Sequence, residues 1–209
     1  MHLHQPISDL LHFGDFPGFM LRIILLLTLL LVAPFLAGCR RSDPPPEHAA
    51  AASSASAAPL TLSSASLQDG KFPKPFTCDG EDKSPALAWT TPPSGTKSLV
   101  LTVTDPDAPD GIFTHWILYN LPAGNSALPP DIPRQDELAD GARQGRNDFS
   151  KTGYGGPCPP HGSNHRYFFD LFALDTNLNV PAQATRAQLE DAMNTHVLAR
   201  GKLVARYGR

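Results

Sequence analysis

Four side chains in this sequence could together grip a compact polar group: Asp105, His115, His165 and Tyr167. They supply a carboxylate, two imidazoles and a phenol. Asp105 closes the apolar run "SLVLTVTD" (98–105), His115 opens "HWILYNL" (115–121), and His165 opens "HRYFFDLFAL" (165–174). Each run is rich in β-branched and apolar residues and reads as a strand. The connection "PDAPDGIFT" is too long for a tight turn and suits an antiparallel pair joined by a wide loop. Asp105 and His115 then flank one loop at one sheet edge, and His165 joins them if its strand runs parallel to that of His115. Tyr167 lies two residues on and shares the face of His165.

The chemistry of such a set suits a small anion. Imidazole and phenol donate hydrogen bonds to phosphate-like oxygens, and backbone amides add donors without charge. The loop "GYGGPCPPHGSN" ahead of His165 offers Gly155 and Gly156, where backbone can approach a ligand closely. Asp105 would orient an imidazole or favour its charged form. Each residue also has an ordinary structural role open to it. A histidine at a strand start packs or meets solvent, and an aspartate before Pro106 opens turns. Two imidazoles and a carboxylate are a legitimate zinc set, but the compact spacing of an HExxH motif is absent. Acid–base hydrolysis of a phosphoester through Asp105 and His165 is a further chemical possibility. No GxSxG ties a serine to these histidines. Arg166 alternates to the opposite strand face, which predicts a structural cation paired with a nearby acid.

The elements that must hold these residues make a β-rich domain with a C-terminal helix. "LTLSSASL" (60–67) and "PALAW" (85–89) are weaker strand candidates, and Pro122 and Pro181 are expected to close strands. Thr185 and Gln188 form a capping-box pattern. Leu189, Ala192, Met193, His196 and Val197 then share a helical face, with Arg200 in the last turn and Gly201 as the residue beyond. "KLVARY" (202–207) reads as a final strand. Residues 122–164 show no strong periodicity; connections of that length are usually functional or disordered, and the aromatic, glycine and proline content here argues for order.

Composition narrows the function class. The 209 residues carry 17 basic and 20 acidic groups without a long run of either sign, so charge points to neither nucleic acid nor an anionic surface. No cofactor is expected. The 22 prolines and 16 glycines follow no fixed period and punctuate short apolar runs.

Residues 1–38 read as an N-terminal extension and signal. Arg22 precedes an apolar run from Ile23 to Ala37 that Pro34 interrupts, and "LAGC" (36–39) resembles a bacterial lipobox with Cys39 as the lipidated residue. A plain signal-anchor helix is the alternative. Asp9 and Asp15 lie ahead of Met20, unlike the basic start of an export signal, which points to Met20 as the translation start. Residues 39–59 are alanine-, serine- and proline-rich and read as a tether. The domain proper is 60–209. The expected place is the bacterial envelope, lipid-anchored and facing the periplasm. Arg40 after the cysteine gives a mild preference for the outer membrane, by resemblance to sorting in enteric bacteria. Cys78 and Cys158 are then either a disulfide or two free thiols.

"TDPDAP" (104–109), "HWILYNLP" (115–122) and "GYGGPCPPHGSNHRYFFDLFAL" (153–174) resemble signatures of the phosphatidylethanolamine-binding protein family, in its bacterial kinase-inhibitor-like branch. "FTCDGEDKSPALAW" (76–89), "PSGTKSL" (93–99) and "QGRNDF" (144–149) agree. The resemblance spans the domain. It implies a β-sandwich-like fold and a non-catalytic pocket for phosphate-like anions or phosphorylated head groups. It places Asp105, His115, Gly156, Pro157, His165 and Tyr167 in that pocket, with Asp107, Pro109 and Tyr154 as further lining. Some eukaryotic members inhibit kinases or serine proteases, so a protein target is a possible partner. The lipobox and tether depart from the family pattern. Phe172 stands where relatives often have tyrosine.

Overall fold

The structure, a computed structural model, describes residues 59–209. The signal, the Cys39 lipobox, the start at Met20 and the tether lie outside the described residues, except for the tether's last residue, Pro59. Among the described residues the fold is mainly β with one α-helix. Strands β1 (Leu62–Ser63), β2 (Leu87–Trp89) and β5 (Ala127–Leu128) form a three-stranded sheet in the order β1-β2-β5. Strands β3 (Ser98–Asp105), β4 (Phe113–Pro122), β6 (Arg143–Gln144), β7 (Asn164–Leu174) and β8 (Val197–Gly208) form a five-stranded sheet in the order β6-β4-β3-β7-β8.

Alternation along the large sheet builds two cores. Leu99, Leu101 and Val103 of β3 face the same side as Trp116 and Leu118 of β4 and Tyr167, Phe169 and Leu171 of β7. This face packs with Leu62, Leu87, Trp89 and Leu128 of the small sheet. The opposite face presents Val100, Ile117 and Tyr119 to Leu189 and Met193 of α1 (Arg186–Met193). All of β3 is buried because both faces are covered. Strands β4 and β7 both pair antiparallel with β3, so they run parallel to each other, the arrangement that brings His115 and His165 to one edge.

The helix begins where the capping box places it: the Thr185 side chain accepts from Gln188 N and the Gln188 side chain accepts from Thr185 N. It ends earlier than the periodicity predicts. Met193 is its last residue, and Thr195 turns into the left-handed region at φ 74°. Arg200 and Gly201 belong to β8, not to a helix terminus, because Val197 to Gly208 pair with β7 along its whole length. That ladder of backbone bonds outweighs one more helical turn. Pro181 does not close a strand either, since β7 stops at Leu174. Pro122 is the last residue of β4, paired with Ser98.

Candidate functional site

The site grows from an irregularity in β4. Val103 pairs with Trp116 and Thr104 with Thr114, so His115 is an extra residue opposite no partner on β3. Such a bulge re-aims a side chain. The chain from the glycine–proline loop satisfies what the bulge leaves open: Gly155 N donates to His115 O at 2.9 Å, and the His115 ring lies with Nδ1 2.7 Å from Gly155 O. A carbonyl only accepts, so Nδ1 carries the proton and Nε2 is bare in the neutral ring. Burial pushes the His115 imidazole below its ordinary range, while its bond to Gly155 and the charge of Asp105 oppose that in part.

Asp105 ends β3, and His165 is the second residue of β7. His165 Nδ1 lies 2.7 Å from Asp105 Oδ2, and both side chains are nearly buried. The other carboxylate oxygen accepts from Asp107 N at 2.8 Å, which caps the following turn. Tyr167 lies beneath this pair, wholly buried. Its ring meets His115 edge-on at 5.1 Å and Phe72 at 5.4 Å. Its hydroxyl lies near the Asp105 carboxylate but meets no partner at full hydrogen-bond geometry among the described residues. Burial and the neighbouring Asp105 carboxylate push that hydroxyl far above the ordinary phenol range, so it stays a donor.

Above these groups opens a cavity of about 450 Å³. Asp105, His115 and His165 reach it from the strand ends, Phe113 from the start of β4, and Pro109 and Ile112 from the β3–β4 loop. Tyr167, expected in the site, does not line it, because its ring is buried in the core against Phe72. Phe149, Cys158 and Pro160 close the other side. Ile112 is 54% exposed and Phe149 38%, so the mouth is apolar and open. Asp110 and Asp148 add carboxylates near the entrance, and no lysine or arginine lines the cavity among the described residues. No cluster of three histidine, cysteine or acidic side chains is placed to hold a metal among the described residues.

The remaining expected residues fall elsewhere. Gly156 N donates to Asp82 Oδ1 at 2.6 Å and Gly155 N to His115, so neither amide is free for a ligand. The two glycines are required sterically: a Cβ on Gly156 would come within 2.6 Å of Phe76 O, and one on Gly155 within 2.6 Å of the Phe149 ring. Pro157 accepts from Cys78 N at 3.1 Å. Tyr154 donates to Phe76 O at 2.7 Å and, with Gly156, borders a smaller neighbouring cavity of about 160 Å³. Asp107 does not line the large cavity. It binds Arg166 through the backbone N and Nε, each at 2.9 Å, and through Nη2. Arg166 thereby takes the structural role its strand phase predicts, and its guanidinium holds the Asp107 carboxyl well below the usual range.

Phe149, Asp148 and Ile112 also line the cavity, and nothing in strand periodicity marks them. Phe149 reaches the site because Asn147 ties a short loop, accepting from Lys151 N and donating to Gly153 O. Asp148 is pinned to β4 by two bonds with Thr114. Phe149 and Asp148 lie in the segment "QGRNDF" (144–149), and Ile112 lies in the connection "PDAPDGIFT". Cys78 and Cys158 are joined as a disulfide with Cα atoms 5.4 Å apart.

A family model described as phosphatidylethanolamine-binding protein matches residues 62–208. The chain belongs to the phosphatidylethanolamine-binding protein family. It is 47% identical over 149 residues to a UPF0098 protein of Aquifex aeolicus, covering 70% of this chain and 86% of that one. Among solved structures it resembles Escherichia coli YbcL, described as a new member of the mammalian family, with TM-score 0.67 and 35% identity over 73% of this chain and 99% of that one. A putative family homologue from Chlamydia trachomatis gives TM-score 0.66 and 37% identity over 72% and 98%.

Proposed function

We propose that this protein is a non-catalytic binding module whose cavity captures a small phosphorylated ligand. The observation that carries the reading is the buried Asp105–His165 pair at the cavity floor. Because Nδ1 of His165 serves Asp105, its Nε2 is the ring atom left for a ligand. It hydrogen-bonds a phosphate oxygen at the cavity floor. The cavity has carboxylates and no lysine or arginine at its walls. A simple polyanion therefore suits it less than a phosphate ester bearing an ammonium group that faces Asp110 or Asp148. Phosphoethanolamine has that chemistry, and the family's description supports it.

The rest of the reading follows the N-terminal sequence. The mature chain would begin at Cys39, carry lipid, and hold the domain at the periplasmic side of the envelope on its tether. Several acyl chains anchor firmly where one does not. Regulation of a protein partner through the exposed rim at Ile112 and Phe149 fits the same site. Phosphoester hydrolysis is the second reading, favoured by the resemblance of the Asp105–His165 pair to an oriented general base.

Calorimetry with inorganic phosphate and phosphoethanolamine, run beside a phosphoester panel, separates the readings. The module binds phosphoethanolamine more tightly than phosphate, turns over no ester, and loses about 10- to 100-fold in affinity in His165→Ala. Turnover abolished by the same substitution would establish the hydrolase instead.

A further inference from the structure

The Cys78–Cys158 bond joins the segment at 76–82 to the glycine–proline loop, and both cysteines are solvent-exposed. Its surroundings are asymmetric. Arg209 Nη1 lies 3.5 Å from Cys158 Sγ, and its Nη2 lies 3.0 Å from Asp79, the residue next to Cys78. Asp79 also accepts from Tyr207 Oη at 2.6 Å. A cation therefore faces the Cys158 sulfur, and the residue next to Cys78 in the chain carries a carboxylate. In the reduced state this favours the thiolate at Cys158 over that at Cys78.

Three hydrogen bonds also join the two segments. Tyr154 Oη donates to Phe76 O, Gly156 N to Asp82 Oδ1 and Cys78 N to Pro157 O. Cleavage can therefore proceed without unfolding. Cys158 lines both the large cavity and the smaller one beside it, so a change at this sulfur alters the wall between them.

We propose that Cys78–Cys158 is a thiol–disulfide exchange site of the folded protein, with Cys158 as the leaving sulfur. A thiolate of an external dithiol attacks Cys78 Sγ. The Sγ–Sγ bond breaks, and its electron pair departs on Cys158 Sγ, where Arg209 stabilises the charge. The second thiol of the dithiol, deprotonated, then attacks its own mixed-disulfide sulfur. That step releases Cys78 as thiolate and leaves the dithiol oxidised to a cyclic disulfide. Two electrons pass from the dithiol to the protein, and the two protons of its thiols go to solvent or to the released cysteines. The inference does not depend on what the cavity binds.

The test is the second-order rate of reduction by dithiothreitol at pH 7, followed by alkylation and mass spectrometry, with circular dichroism recorded on the same samples. The expected result is full reduction at an unchanged native spectrum, with iodoacetamide reaching Cys158 before Cys78. Arg209→Gln should slow reduction about threefold, as the leaving thiol becomes less acidic. Asp79→Asn breaks the ion pair but keeps the cation, and should leave the rate equal or faster. Reduction only in denaturant, an Arg209→Gln rate equal to wild type, or equal slowing by both substitutions would overturn the proposal.

Discussion

His165 and Asp105, sixty positions apart in the chain, meet with Nδ1 and Oδ2 at 2.7 Å because β7 runs antiparallel to β3, so the start of β7 lies beside the end of β3. The carboxylate fixes which nitrogen of the His165 ring is left for a ligand. Asp105→Asn removes the carboxylate that orients the ring, so affinity for phosphoethanolamine should fall by about tenfold or more. Isothermal titration calorimetry of wild type and variant checks this. Equal affinities would show that the pair does not position the ligand.

His115 gives a different pH signature, in stability. Its folded-state proton affinity lies below that of the unfolded chain, because the ring is buried. Above the unfolded value near 6.5 both states are neutral and the group contributes nothing to the pH dependence. As pH falls below that value the unfolded chain takes up the proton first, so stability drops, by at most about 1.4 kcal/mol per pH unit. Denaturant titrations of wild type and His115→Gln between pH 7 and 5 should show a shallower decline in the variant. Parallel declines would mean that another group carries the effect.

Gly156→Ala tests the steric role of the loop. The new methyl would meet backbone at Phe76 O and Thr77 Cα and the Asp82 carboxylate, none of which is a flexible tip. The substitution should cost about 1–3 kcal/mol, measured by urea denaturation. A loss below 0.5 kcal/mol, by the same order-of-magnitude scale, would show that the 76–82 segment yields freely.

Much of this site could be read from strand phase, and the misses have physical causes. Asp105, His165 and Tyr167 follow from alternation in apolar runs, and the same alternation sends Arg166 to the far face, where Asp107 binds it. The bulge at His115 could not be read, since it exists only relative to the register with β3. Free amides at Gly155 and Gly156 were a fair expectation for a glycine loop. Their partners, His115 O and Asp82, lie 40 and 74 positions away and come into reach only on folding. Helix length failed for a related reason. Leu189 through Val197 keep helical spacing, but Val197 pairs with Leu174, a contact no local pattern reveals. Phe149 and Asp148 line the cavity through loop closure, which periodicity does not report.

Cys39→Ala tests the envelope reading. In a bacterial host, radiolabelled palmitate should mark the wild-type chain and not the variant, and the variant should retain the uncleaved signal. Equal labelling of both chains would remove Cys39 as the lipidated residue.

The central claim is that the Asp105–His165–His115 floor is where the phosphate group sits. Long-range ¹⁵N–¹H spectra of the histidine rings, recorded while phosphoethanolamine is added, test it most directly. Saturable shifts at His165 Nε2 and His115, with His196 and His161 unmoved, are the predicted result. Saturable binding by calorimetry with both site histidines unperturbed would contradict it.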